Sequence, residues 1–470
     1  MGAFLSRINQ AAEQRIKTIE ATSDEHRNAL AQHLTPRETA QLAVSLFDPS
    51  DKTVTCLDLG AGTGMLSVAL ADRYGTAIER IDCVEIDPAL ARICDYELSD
   101  INHALFVTDA LTDTPNNLYD RIILNPPYKK MAADDARQQS LPIRCANLYS
   151  AFVTIALTRL ADNGELVAII PRSWTNGDYF TAFRLWALSD WSLDAMHVYG
   201  SRTEVFEDTN VLQETMLVRF SKRRQAISIR VSQSGTKGEE ALVNEYPATE
   251  LITGESKIIR IAPSTGKKKE TMADSGYCPS TGKVVDFRSR DRIYMSYDEA
   301  IADAQTASDI YRLVYTGNMR TGELIHPASI GKCQWYRADD KSSLQQLVQP
   351  GSYVLVKRFS SKEEVRRVVA YPVTISEPTA FENHTSFIHQ GTPRKVKPLA
   401  SKELARGISI WLNSTYIDEW FRGMSGSTQV NAKDIKAMPC PDESDLIELG
   451  KGWTAGMTQE QTDDAVRELI

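Results

Sequence analysis

Short apolar runs alternate with amphipathic stretches over the first half of the chain. Residues 54–59, 81–85, 104–107, 121–124 and 166–170 predict buried strands, and 65–74 and 88–99 predict helices between them. Such alternation implies a largely parallel sheet wound on both faces, an α/β fold. Two later β-rich runs, 196–199 and 215–220, are expected to complete the sheet. After residue 222 the apolar pattern thins. The polar stretch 264–270, with lysines at 267, 268 and 269, predicts an exposed loop or linker. The second half is less regular: β-prone segments at 352–359 and 365–373 precede an amphipathic helix at 401–413. The domain boundary is expected between about residues 222 and 265, and is drawn as 1–255 and 256–470.

Composition narrows the class. The chain has 470 residues, too many for one ordinary domain, with 42% hydrophobic and 24% charged residues. These values exclude a mostly disordered, collagen-like or membrane-embedded protein. No run approaches the ~18–20 apolar residues of a spanning helix, so no membrane partner is expected. No basic region followed by a long apolar run stands at the N-terminus, so a secretory signal is not expected. Met1, Gly2 and Ser6 have myristoylation spacing, but no basic patch supports it. Seven cysteines, none in a C-x-x-C pair, argue against a disulfide framework or a structural zinc site, and the expected setting is a reducing cytoplasm.

The net charge of −9 hides an asymmetry. Residues 1–220 carry 19 basic and 30 acidic residues, whereas the remainder carries 34 and 32. A polyanion needs local rather than global positive charge, so nucleic acid is allowed and is expected to be gripped by the C-terminal half.

The segment Leu57-Asp58-Leu59-Gly60-Ala61-Gly62-Thr63-Gly64 closes the first predicted strand and opens a helix. Glycines here allow a tight turn and let a ligand approach backbone amides. Glu85, at the end of the next strand, is placed to accept both hydroxyls of a ribose. Asp109, after the third strand, would accept from an adenine amino group in the same crevice. Loop and spaced acids favour nucleoside binding but leave open a dinucleotide or S-adenosylmethionine. Asp58 could meet a cationic amino group, which the methionine part of the latter possesses.

The most specific signal is Asn125-Pro126-Pro127-Tyr128, directly after the strand at 121–124. Two prolines remove two amide donors and stiffen the turn. The Asn125 side-chain oxygen and the Pro126 carbonyl could then converge on one amino group. A planar nitrogen is a poor nucleophile, and two acceptors favour the positive charge that develops as it attacks. Tyr128 supplies a flat face for stacking a planar substrate.

Thr35-Pro36, the glycine loop, Val84-Glu85-Ile86-Asp87, Thr108-Asp109-Ala110-Leu111 and the tetrapeptide occur in the order found in gamma-class DNA adenine-N6 methyltransferases of bacterial restriction–modification systems, which this chain resembles. The motifs cover roughly residues 33–220, and the family architecture would account for the rest. The resemblance implies a Rossmann-like class I methyltransferase sheet followed by a mixed α+β target-recognition domain. It implies S-adenosylmethionine as cofactor, held by Thr35, Asp58, Gly60, Gly62, Gly64, Glu85, Ile86, Asp109 and Ala110. Asn125, Pro126, Pro127 and Tyr128 would be catalytic. Phe206, in a segment resembling the family's late hairpin motif, would be the second stacking face. Residues 280–288, 412–414 and 423–431 also resemble segments of these enzymes' C-terminal regions, and the last suits phosphates or base edges. Arg366-Arg367 and Arg394-Lys395 with Lys397 could meet phosphates, though such groups are more often solvated faces.

The resulting expectation is methyl transfer to adenine N6 in double-stranded DNA. The target base flips into the crevice, transfer is direct, and a separately encoded restriction endonuclease is a possible partner. The chief rivals are a methyltransferase acting on RNA or on a protein glutamine amide, and a DNA-binding module without catalysis. The large C-terminal half disfavours the amide substrate, and the intact tetrapeptide disfavours the silent module. A pyrimidine-C5 enzyme is disfavoured because Pro439-Cys440 lies far down the chain. A fused nuclease at 442–451 is rejected on poor spacing. No metal site is expected.

Overall fold

A computed structural model describes residues 7–23, 34–199, 214–223, 225–234, 242–264, 269–304, 306–319, 323–360, 363–425 and 427–470. The chain divides into two compact units, Met1–Pro263 and Ser264–Ile470.

The first unit is built on a sheet with strands β1 (Val54–Leu59), β2 (Ile78–Glu85), β3 (His103–Val107), β4 (Tyr119–Leu124), β5 (Leu160–Pro171), β6 (Ser192–Val198), β7 (Thr215–Ser221), β8 (Ser228–Gln233) and β9 (Leu242–Pro247). Their order across the sheet is β3-β2-β1-β4-β5-β7-β6-β8-β9. Strands β1 to β5 pair in parallel, and β7 enters antiparallel between β5 and β6. The strand order reverses between β1 and β4, which opens a crevice at their C-terminal ends.

Burial on both faces explains the continuous apolar strands. Leu57, Leu59, Ile122 and Leu124 face a core covered by helices α5 (Leu148–Thr158) and α6 (Thr181–Asp190). Cys56, Ile81 and Ile123 face the opposite core, under α1 (Arg7–Ala21), α2 (Arg37–Ser45), α3 (Met65–Tyr74) and α4 (Pro88–Glu97). Helix α4 starts where Asp87 accepts from the Ala89 amide at 2.8 Å and Pro88 occupies the first turn.

The late pair of strands does not complete the sheet. β8 and β9 extend it through the stretch where the apolar pattern thins. Strand β9 is largely exposed, as an outermost strand can be, so it carries no apolar run to read. A short hairpin, Ile252–Thr253 with Ile258–Ile259, follows, and Ile259 is buried in the first core. That packing carries the first unit to Pro263, beyond the boundary drawn at residue 255.

The second unit is mixed α+β. One sheet places Thr385–Thr392 between Tyr277–Thr281 and Gly351–Lys357, with Ala370–Ile375 outermost. A second sheet orders Ile293–Tyr294, Trp335–Arg337, Ile310–Val314, Thr379–Phe381 and Leu347–Val348. The helix at Lys402–Leu412 is capped by Ser401, which accepts from Leu404 N at 3.0 Å. It crosses Glu443–Lys451 so closely that a Cβ on Gly407 would stand 1.7 Å from the Leu446 carbonyl oxygen. The strand expected at 365–373 begins only at Ala370, and Val365 is 95% exposed. Arg367 is buried, donating to Ser360 Oγ and the Ser427 carbonyl, and is therefore a structural residue rather than a phosphate ligand. Arg394, Lys395 and Lys397 are exposed. Among the described residues no helix is long and apolar enough to cross a membrane.

Candidate active site

A cavity of about 440 Å³ opens at the C-terminal ends of β1, β2, β3 and β4. Gly60 and Gly62 form its floor after β1, Glu85 and Ile86 enter from β2, and Asp109 and Ala110 follow β3. Asn125 and Pro127 line it after β4. Four separate junctions of the sheet thus bring eight of the sequence-predicted residues to one space.

The backbone of the floor favours glycine. Gly60 and Gly62 have φ of +88° and +57°, and a Cβ on Gly62 would press within 3.3 Å of Leu34. Glu85 braces the loop: its Oε2 accepts from Gly62 N at 2.8 Å and its Oε1 from Asp87 N at 2.8 Å. Burial pushes its pKa up from the usual carboxylate range. Each oxygen retains a further lone pair.

Asp58 does not line the cavity. It is fully buried behind the loop, where Oδ2 accepts from Ser67 Oγ at 2.7 Å. Desolvation, with the charge of Glu85 adding to it, pushes its pKa up to about 7. Gly64 also lies away from the wall, at the N-cap of α3 with φ of +85°. A Cβ there would stand 3.0 Å from Cys94 Sγ.

The tetrapeptide is held by its own side chains. Asn125 Nδ2 donates to Thr35 Oγ1 at 3.0 Å. The Tyr128 hydroxyl lies 3.0 Å from both Asn125 Oδ1 and the Ile169 carbonyl oxygen, and can donate to either. Burial raises the Tyr128 pKa well above its ordinary value, so the phenol stays protonated. Its ring meets Tyr149 edge-on, with centroids 6.3 Å apart. Pro126 is buried beneath the turn. Thr35, Pro126 and Tyr128 do not line the cavity. Phe206 lies outside the described residues, as do Met1 to Ser6.

Sequence reasoning missed the far wall. Residues 131–146 form a strap closed at its base by a Lys130–Asn147 bridge and by Met131 N donating to the Ala146 carbonyl at 3.1 Å. Asp135 and Arg137 on this strap line the cavity. Arg137 donates twice to Asp135, at 2.9 and 2.7 Å, and once to Asp109 Oδ2 at 3.3 Å. These hydrogen bonds hold the Asp135 pKa down at about 2. The strap has no apolar periodicity, so only the close spacing of Asp135 and Arg137 could have hinted at the pair. Leu34, Leu90 and Phe152 supply apolar wall, and Lys129 and Lys130 supply positive charge.

A glycine floor, two carboxylates reached from adjacent strands and apolar surface at Ile86 and Leu90 suit a nucleoside with an amino-acid tail, and so fit S-adenosylmethionine.

Comparison with known proteins agrees. Residues 36–179 match the methyltransferase small domain. The chain is 30% identical to the type II methyltransferase M.PstI of Providencia stuartii over 94% of its length and 93% of that protein's. It is 31% identical to M.BsuBI of Bacillus subtilis, covering 95% of each. Its fold is similar to that of the Type IIL restriction-modification enzyme MmeI, solved in complex with DNA. That match has a TM-score of 0.57 and 13% identity, and covers 88% of this chain and 70% of the other. The sheet is the α/β sheet of a methyltransferase domain, and the methyl donor is S-adenosylmethionine. The chain therefore belongs to the type II methyltransferases of restriction–modification.

Proposed function

We propose that this protein transfers a methyl group to N6 of adenine at a specific site in duplex DNA, with the adenine flipped out of the helix. The observation that carries the reading is the Asn125 amide, fixed at both ends by hydroxyls and lining the cavity that Glu85 and Asp109 enter from β2 and β3. Asn125 Oδ1 and the Pro126 carbonyl accept the two hydrogens of the adenine amino group. The nitrogen is thereby turned towards the methyl donor, and its developing positive charge is stabilised. Tyr128 and Phe206 stack on the extruded base. S-adenosylmethionine supplies an electrophilic methyl group for direct transfer.

For the cofactor, Glu85 takes the ribose hydroxyls, Asp109 the adenine amino group, and Ile86 and Ala110 flank the purine. Gly60 and Gly62 allow close approach and Gly64 shapes the loop. Thr35 serves the methionine part, while Asp58 acts from behind the floor. The first unit is the methyltransferase domain and the second the target-recognition domain. DNA binding by this second unit is supported by the likeness to a DNA-bound restriction–modification enzyme over most of the chain. The setting is the cytoplasm, where a separately encoded endonuclease would cut the unmodified site. Expression in a methylation-free host followed by sequencing for modified bases tests this. Modified adenine confined to one recognition sequence is expected, and its absence rejects the reading.

A further inference from the structure

Strand β5 runs parallel to β4 and past its end: Ala168 pairs with Leu124, and β5 continues to Pro171. Residues 172–180 therefore stand at the same edge of the sheet as the tetrapeptide. Ser173 Oγ lies 3.1 Å from the Tyr149 hydroxyl, and Phe180 stacks on the Tyr149 ring with centroids 5.4 Å apart. Tyr149 is the ring that meets Tyr128 edge-on. The segment is also braced from within. Arg184, 1% exposed, donates to the carbonyls of Trp174 at 2.7 Å and Gly177 at 2.8 Å, and to Thr181 Oγ1 at 3.1 Å. A Cβ on Gly177 would stand 2.7 Å from the Ser173 carbonyl oxygen, so the turn closes tightly on itself. Burying a guanidinium is costly unless hydrogen bonds offset it, and here those bonds fix the shape of one short segment.

On this braced segment Tyr179 is 86% exposed, whereas its neighbour Phe180 is 7% exposed. Tyr179 belongs to neither core of the first unit. A single exposed aromatic is ordinary on a protein surface. One presented by a rigid turn tied to the tetrapeptide's own aromatic neighbour has a position that packing does not explain. We propose that Tyr179 enters the duplex at the target site and stacks in the gap left by the extruded adenine. Extrusion unstacks the target's neighbours and leaves its partner base unpaired. A tyrosine ring covers such base faces at low conformational cost, because it has few rotatable bonds. A side chain inserted between base steps must also resist their closing, which the Arg184 bonds and the Phe180 anchor provide. The proposal rests on the adenine-N6 reading and adds a contact between the first unit and the duplex that the reading does not require.

The test uses the full-length protein and two duplexes containing its recognition sequence, one with the target adenine paired and one with it mismatched. On the paired duplex, Tyr179→Ala should lower kcat/KM by about 5- to 150-fold, the range for losing one aromatic side chain that stacks on a base. It should also lower the fluorescence of 2-aminopurine placed at the target, which reports extrusion. A mismatched base is extruded at less cost, so on the second duplex the loss relative to the parent should shrink severalfold. Tyr179→Phe keeps the ring and should retain most of the parental rate. Calorimetry with S-adenosylhomocysteine should give parental affinity for both variants. An alanine variant that matches the parent on the paired duplex overturns the proposal. So does one equally impaired on both duplexes or weakened in cofactor binding, because either marks support of the fold. A phenylalanine variant as impaired as the alanine variant rejects stacking as the cause. A parent protein that methylates no adenine overturns the functional reading itself, a result obtained before any variant is made.

Discussion

Glu85 Oε2 accepts the amide hydrogen of Gly62 at 2.8 Å, tying the tip of β2 to the glycine loop after β1. The acid expected to hold a ribose therefore also holds the floor of the cavity. Glu85→Gln keeps much of the packing and one carbonyl oxygen, whereas Glu85→Ala removes both the brace and the acceptor. Calorimetry with S-adenosylhomocysteine should show weaker binding for both variants. The alanine variant should lose about 10- to 100-fold, the range for hydrogen bonds to a charged group. Unchanged affinity in the alanine variant would remove Glu85 from the site.

The Asn125 amide makes a sharper prediction. Asn125→Ala should lower kcat for methylation by at least ~100-fold, as deleting one preorganised transition-state partner does. Cofactor affinity should change much less. Near-normal turnover would reject the acceptor role.

Arg137 makes three hydrogen bonds to Asp135 and Asp109 across the strap and the cavity wall. Arg137→Met should leave two carboxylates facing each other without their shared cation. We expect weaker cofactor binding and faster proteolytic cleavage within residues 131–146, with α5 and the sheet intact. A variant with parental cofactor affinity and parental cleavage would show that the ion pair holds nothing.

Asp58 sets a pH dependence. Its pKa in the fold is about 7, raised from an ordinary value of 3.8. An acid whose folded pKa is raised loses stability as pH climbs from the unfolded value through the folded one, at up to about 1.4 kcal/mol per pH unit. Asp58→Asn cannot ionise and can still accept from Ser67. Its Tm should fall less than the parent's between pH 5 and pH 7.5. Parallel curves for the two proteins would contradict a buried, raised Asp58.

What the sequence made legible follows from how each element is buried. β1 and α3 occupy the spans expected, 54–59 and 65–74, because both are buried over nearly their whole length and are separated by glycines that cannot belong to either. β9 was missed because an exposed outermost strand has no continuous apolar run, and β8 because its buried Ile229 and Val231 alternate with exposed or polar positions. Within the site, the glycines, Glu85, Asp109 and the tetrapeptide are readable since each sits at the end of a recognisable strand. The Asp135–Arg137 pair is not, because it lies on an irregular strap whose partner, Asp109, is 28 residues away. Thr35 can be placed from the motif order, but its bond to Asn125 spans 90 residues and only folding brings the two together.

The most direct test is the identity of the methylated atom. Duplex DNA from a methylation-free host, incubated with the protein and isotopically labelled S-adenosylmethionine, is digested to nucleosides and analysed by mass spectrometry. The account predicts labelled N6-methyldeoxyadenosine, absent when Asn125→Ala replaces the parent. Label found instead in a methylated cytosine would contradict it, as would label that appears only when RNA or protein replaces the DNA.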